Sequence, residues 1–167
     1  ILQIGYLPEE RGLYKKMKVL ETLLFFAEIK GKKERDVTKL AKKYLEQFDL
    51  ADRMNSKIEA LSKGNQQKVQ FISTLLHDPE VLILDELFSG LDPINTNIMK
   101  NMILELKQQG KIILFSTHVM SFAEKMCDHI AIIDHGKIKI NGALADIKAE
   151  RSHRNVSLNY KGDISFL

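Results

Sequence analysis

Asp85 and Glu86 are the side chains of this chain with the plainest chemistry, and they stand side by side. They end the apolar run Val81–Leu84 inside VLILDELFSGLDP, just after an Asp78-Pro79 turn signal. A short unbroken run of leucine and β-branched residues predicts a strand buried on both faces, as in a parallel sheet. Such a strand delivers the residues after it to the carboxyl edge of the sheet, where α/β proteins bind ligands. Paired carboxylates there are costly unless something compensates them. A hard cation such as Mg²⁺ carrying a phosphate would do so. A solvated, inert acidic loop is the alternative reading of the same two residues.

The elements that must position these acids are set by periodicity. Ile1–Leu7 predicts a strand ended by Pro8, and 8–12 a polar loop. Apolar residues at Val19, Leu20, Leu23, Leu24 and Ala27 have helical spacing, and Gly31 breaks the pattern. A second helix is expected from about Glu34 to Phe48, with Val37, Leu40, Ala41, Tyr44, Leu45 and Phe48 on one face. Ser62 suits the N-cap of a third helix, whose buried side is Val69, Phe71, Ile72, Leu75 and Leu76. Asp92 followed by Pro93 starts a fourth, lined by Ile98, Met102, Ile103 and Leu106 and stopped at Gly110. Strand Ile112–Phe115 then runs into Ser116-Thr117-His118. A short helix around Ser121–Met126, a strand Ile130–Ile133, a turn at 134–137, a strand Ile138–Ile140, a turn at Asn141-Gly142 and a helix Ala143–Ala149 complete the pattern. From Arg151 a weak alternation predicts a separate β-rich appendage. Strands alternating with helices predict an α/β fold, a parallel sheet flanked by helices with an all-helical insertion.

Composition excludes several classes. At 167 residues with 44% hydrophobic and 28% charged residues, the chain suits one soluble-type domain with a real core. No apolar run approaches the ~20 residues of a membrane helix. The single cysteine, Cys127, rules out an internal disulfide framework and reads as a small core residue. A net charge of +3 is too mild to argue for nucleic acid. Positive charge does gather over 30–43 (KGKKERDVTKLAKK), as a solvated helix face or as a contact with an anionic membrane surface or acidic partner. The chain opens on Ile1-Leu2 without an initiator Met and closes on Phe166-Leu167, which reads as a segment of something longer.

In order, GYLPE, LSKGNQQ, VLILDE, SGLD and STH resemble the motifs of the ATP-binding cassette (ABC) ATPases, over Ile4 to about Ala149. The wording GYLPEERGLY and NGALADIKA is most similar to ATPase subunits of bacterial exporters of the sodium-efflux type. The resemblance implies a P-loop NTPase-like fold, ATP and Mg²⁺ as cofactors, and a dimer of ATPase subunits driving an integral membrane permease from the cytoplasmic face. It implies a partial ATPase domain over 1–150, a helical subdomain over about 13–77, and the start of a C-terminal appendage over 151–167.

The implied roles are specific. Asp85 would hold Mg²⁺ through water, Glu86 would be the general base, and His118 would contact the γ-phosphate; a strand-end imidazole is the plain alternative for His118. Ser62, Lys63, Gly64, Asn65 and Gln66 match the signature loop, which grips the phosphate bound to the opposite subunit. A hydroxyl, a glycine and a helix N-terminus are also a ready anion site on physical grounds alone. Ser89, Gly90 and Asp92 match the loop that couples two sites across the dimer, although Asp92 also serves as a simple cap. Glu9 stands where the family carries a glutamine that contacts Mg²⁺ or water; a carboxylate cannot donate the hydrogen bond an amide can. Lys63 and Asn65 also depart from the family's glycine and glutamine. His77, His129, His135 and His153 read as structural.

No G-x-x-x-x-G-K-[ST] loop occurs in the 167 residues. That loop cradles phosphates with backbone N–H groups, and in the family it lies upstream of the first strand here. The chain is therefore expected to bind ATP poorly by itself, not to hydrolyse it, and to self-associate through uncovered apolar surface. The other readings are a soluble ABC-type ATPase acting in translation or DNA repair, and a non-catalytic interaction domain. A phospho-receiver domain would need an early acidic pair and a late lysine that the order of elements does not supply.

Overall fold

The computed structural model describes residues 3–10 and 12–151. They fall into two compact units, one through His118 and one from Val119. Of the appendage expected over 151–167, Arg151 ends a helix, and residues 152–167, His153 among them, lie outside the described residues.

The first unit is built on three parallel strands, β1 (Ile4–Leu7), β2 (Val81–Leu84) and β3 (Ile112–Phe115), in the order β1-β2-β3. Their register is level, with Leu7 beside Leu84 and Leu84 beside Phe115. Between β1 and β2 come α1 (Val19–Ile29), α2 (Glu34–Gln47), short 3-10 turns at Ala51–Arg53 and Ile58–Ala60, and α3 (Lys63–Leu75). Between β2 and β3 lies α4 (Pro93–Gln108). The α/β class, the parallel sheet and the all-helical insertion are as the sequence predicts.

Helix α3 packs on β1 and against α1 and α2. Its Val69, Phe71 and Ile72 are fully buried, as are Leu7, Leu82 and Leu84 of the sheet. Each such side chain contributes about 1.5–3 kcal/mol when removed from water. The phenyl rings of Phe48 and Phe71 meet edge to face at 5.9 Å between centroids, joining the end of α2 to α3. Burial of the sheet differs from expectation. Leu82 and Leu84 are buried, but Val81 and Ile83 on the opposite face are only half-buried. On that face Tyr6, Ile112 and Leu114 are 56%, 66% and 63% exposed. The unbroken apolar run thus serves one covered face and one open one. In α4 the buried set is Met99, Met102, Ile103 and Leu106, with Met99 taking the place expected for Ile98.

The second unit holds α5 (Met120–Met126), β4 (His129–Asp134), β5 (Lys137–Ala143) and α6 (Leu144–Arg151). Strands β4 and β5 form an antiparallel pair turned at His135-Gly136, separate from the parallel sheet. The turn expected at Asn141-Gly142 does not form, because both residues pair with β4, opposite Ala131 and Ile130. Cys127 is half-buried rather than a core residue.

Gly5 sits where helix and strand touch. A Cβ there would lie 2.7 Å from the Thr74 carbonyl oxygen and 2.7 Å from Leu82 Cδ2. Gly5→Ala should therefore destabilise the unit by about 1–3 kcal/mol in urea unfolding. His77, 4% exposed, donates its Nε2–H to the Ile4 carbonyl at 3.1 Å, while Nδ1 is buried without a partner. Burial lowers its pKa below the usual histidine value. The unfolded chain then binds the proton more readily, so stability should fall as pH drops below about 6.5. His77→Gln should show a flatter dependence over that window.

Candidate functional site

The level register brings three loops to one edge. The ladder continues one residue beyond β2 and β3, with Asp85 N–H donating to Leu7 O at 2.9 Å and Ser116 N–H to Leu84 O at 3.0 Å. Asp85 and Ser116 thus begin their loops side by side. The Ser116 hydroxyl donates to Asp85 Oδ1 at 2.6 Å and accepts the Glu86 N–H at 2.9 Å. Glu86 itself has φ +46°, a left-handed backbone that side-chain-bearing residues seldom adopt. Its carboxylate meets His118 Nδ1 at 3.0 Å, with the carboxylate 22% and the imidazole 74% exposed. A carboxylate backed by an imidazole can accept a proton from water and keep its orientation. Behind this pair Leu87 is fully buried, and the Phe88 ring meets that of Phe115 edge to face at 6.1 Å.

Helix α3 contributes from its start. Ser62 Oγ accepts the Asn65 N–H at 3.2 Å, so Ser62 is the cap the sequence predicts. Other N–H groups of a first turn have no acceptor within the helix and point outward, carrying partial positive charge. Gly64 lies close to the loop after β2 and the first turn of α4: a Cβ there would be 3.5 Å from Leu91 Cδ2 and 3.3 Å from Asn95 Nδ2. Asp92 caps α4, its Oδ1 accepting Ile94 N–H at 3.0 Å and Asn95 N–H at 2.9 Å, and its Oδ2 also takes the Asn95 side-chain amide. The Asn95 N–H, before its other partners, holds the Asp92 carboxyl below its usual pKa. Gln66 is turned to structure, its Nε2 donating to Ile58 O and Leu61 O at 3.1 Å each.

A cavity of about 730 Å³ joins several of these residues. Glu9, Lys63, Gln66, Glu86 and Ser89, far apart in sequence, all line it. Asp85 and His118 adjoin it through Ser116 and Glu86, whereas Gly90 and Asp92 do not line it. Three residues the sequence reading left unassigned hold the site together. Gln70 donates from Nε2 to Glu10 O at 3.2 Å and Pro8 O at 3.4 Å, gripping the loop that carries Glu9. Gln67 reaches Leu87 O at 3.5 Å, and Ser116 ties the two acids. Their signal was modest: amides along one helix, and a hydroxyl two residues before a histidine.

The donors suit a small hard cation. Asp85 has Oδ1 engaged by Ser116 and no hydrogen bond to Oδ2 among the described residues. One or two carboxylates completed by water and phosphate oxygens are the usual protein share of a Mg²⁺ shell. No cluster of three or more metal-binding side chains occurs among the described residues.

Acids, a hydroxyl and an imidazole thus gather at the carboxyl edge of a parallel sheet in an α/β protein, the edge at which such folds bind their ligands. Residues 2–89 match the family model for ABC transporters, and the chain belongs to that family. It is 48% identical over 165 residues to an uncharacterised ABC transporter ATP-binding protein of Bacillus subtilis, YhaQ, covering 99% of this chain and 55% of that one. It is 36% identical to a fluoroquinolones export ATP-binding protein of Mycobacterium tuberculosis, over 96% of this chain and 52% of that one. The solved structure of an ATP-binding subunit of an ABC transporter superposes with a TM-score of 0.81 at 34% identity, covering 89% and 62% of the two chains. The chain thus spans between half and two thirds of the length of these relatives.

Gln70 offers a direct test of the bracing. Gln70→Leu removes both donors to the loop after β1 and should cost about 1–3 kcal/mol in urea unfolding. Gln70→Glu, which cannot donate, should behave alike, and both should speed proteolysis within residues 8–13.

Proposed function

We propose that this chain is the larger part of an ATP-hydrolysing subunit of an ABC exporter, which works as a dimer and drives a separate membrane permease. The observation that carries the reading is the Glu86–His118 pair, joined through Ser116 to Asp85 at the tips of neighbouring parallel strands. Glu86 accepts a proton from the attacking water, and His118 holds the Glu86 carboxylate through Nδ1, while in its imidazolium form it would also donate Nε2–H to a phosphate oxygen. Asp85, with Glu9 across the cavity, supplies the carboxylate oxygens for Mg²⁺, which would neutralise charge on the phosphates. Ser62, Lys63 and Gly64 present N–H groups and a cation to a phosphate held by another subunit, with Asn65 closing the cap on Ser62 and Gln66 shaping that turn from within. Ser89, Gly90 and Asp92 form the loop between the two sites.

No helix among the described residues is long and apolar enough to cross a membrane. The permease contact falls to the helical insertion, where Met17, Leu20, Leu24 and Phe25 line a groove of about 450 Å³. Tyr14, Phe25 and Phe26 form an aromatic cluster beside it, the Tyr14 and Phe25 rings 5.4 Å apart. The subunit then lies peripherally on the cytoplasmic face, with ATP and Mg²⁺ as cofactors and no nucleic acid partner. Export relatives such as the fluoroquinolones protein favour this over a soluble ATPase of translation or DNA repair. The domain reading remains an ATPase part over 1–150, a helical subdomain over about 13–77, and an appendage beyond.

Calorimetry tests the reading. The 167-residue chain should show no Mg-ATP binding, and a longer polypeptide that adds an upstream phosphate loop should bind in the micromolar range. In that polypeptide Glu86→Gln should lower kcat by roughly 10²-fold or more. Tight binding by the short chain, or unchanged turnover in Glu86→Gln, contradicts the proposal.

A further inference from the structure

We infer that Ser116 is a positioning residue for hydrolysis, one hydroxyl that sets both the backbone of Glu86 and the carboxylate of Asp85. The inference rests on the function proposed above and adds a residue to it.

The polarity of the two bonds is fixed by their partners. A backbone N–H can only donate and an ionised carboxylate can only accept. Ser116 Oγ must therefore take the Glu86 N–H (2.9 Å) on a lone pair and give its own proton to Asp85 Oδ1 (2.6 Å). Donation to a carboxylate makes the same oxygen a better acceptor, so the bonds reinforce one another. Alanine can make neither bond, whereas threonine can make both.

The Glu86 backbone needs such a tether. At φ +46° it occupies a conformation that persists only where the surroundings over-determine it. Ser116 fixes its N–H, Ser89 N–H donates to its carbonyl at 3.0 Å, and His118 meets its carboxylate at 3.0 Å. Without the first bond Glu86 can relax to an ordinary backbone, which swings its carboxylate off the imidazole. The second bond turns Asp85 so that Oδ1 is spent on the protein and Oδ2 is left for a ligand. Ser116 is itself placed by Ser116 N–H to Leu84 O at 3.0 Å, so its hydroxyl is held by the β2–β3 ladder. Its exposed position leaves space for the extra methyl of threonine.

Two measurements separate this inference from the function beneath it. In the 167-residue chain, amide hydrogen exchange by NMR should show the Glu86 N–H exchanging about tenfold faster in Ser116→Ala, the effect of one net hydrogen bond. Asp85 N–H, bonded to Leu7 O, should not change, and Ser116→Thr should restore the wild-type rate for Glu86. In the longer polypeptide, Ser116→Ala should lower kcat roughly 10- to 100-fold, as loss of a supporting hydrogen bond does, with KM for ATP unchanged and Thr restoring turnover. Should Ser116→Ala fail to fold, Ser116→Cys, a weak donor of similar size, is read in its place. Unchanged Glu86 exchange overturns the tether. Full turnover in Ser116→Ala, in a polypeptide that hydrolyses ATP, overturns the positioning role. A wild-type polypeptide without ATPase activity removes the proposed function instead, and the exchange result still decides the tether.

Discussion

The level register of the three parallel strands is the constraint on which the site depends. Leu7, Leu84 and Phe115 stand abreast, so the loops after β1, β2 and β3 begin at one edge. Two further ladder bonds, Asp85 N–H to Leu7 O and Ser116 N–H to Leu84 O, carry that alignment into the first residue of the loops after β2 and β3. A shift of one residue in either pairing would turn alternate side chains to the other face. Ser116 would then leave Asp85, and the buried Leu82 and Leu84 would exchange places with half-buried Val81 and Ile83. Packing of the core and alignment of the acids are thus one requirement.

Helix α3 supplies the second frame. Its apolar side is anchored by Val69, Phe71 and Ile72, while its amides reach outward in three directions. Gln66 closes the turn before the helix, Gln67 reaches the loop after Glu86, and Gln70 grips the loop after β1. Fixed donors on a rigid element hold loop carbonyls that would otherwise wander. Glu9 and Ser89 inherit their positions from buried neighbours. Lys68 adds a charge on the same helix, 3% exposed, whose pKa burial lowers.

Much of this was legible in the sequence, for reasons that can be named. Helical spacing from Val19 to Ile29 and the apolar runs of β2 and β3 depend on local pattern, and those elements form over the expected residues. Ser62 and Asp92 were readable as caps because capping is local chemistry. The open face of the sheet was not readable, since Val81–Leu84 is equally apolar at each position and does not tell which face is covered. Asn141-Gly142 carries strong turn chemistry, yet cross-strand pairing to Ala131 and Ile130 overrides it. Gln70 and Ser116 escaped for another reason. Each acts on a partner far along the chain, Pro8 and Glu10 in one case and Asp85 and Glu86 in the other, and no local pattern marks such a bond.

The most direct test of the proposed dimer is the molar mass, by light scattering, of the longer polypeptide with and without a non-hydrolysable ATP analogue and Mg²⁺. The loop Ser62–Asn65 is assigned to a phosphate held by another subunit, so nucleotide should draw two copies together. The expected result is a monomer that doubles in mass with nucleotide, and that stays monomeric when Ser62 is replaced by a bulky acid. A mass that does not respond to bound nucleotide, or a dimer indifferent to Ser62, would contradict it.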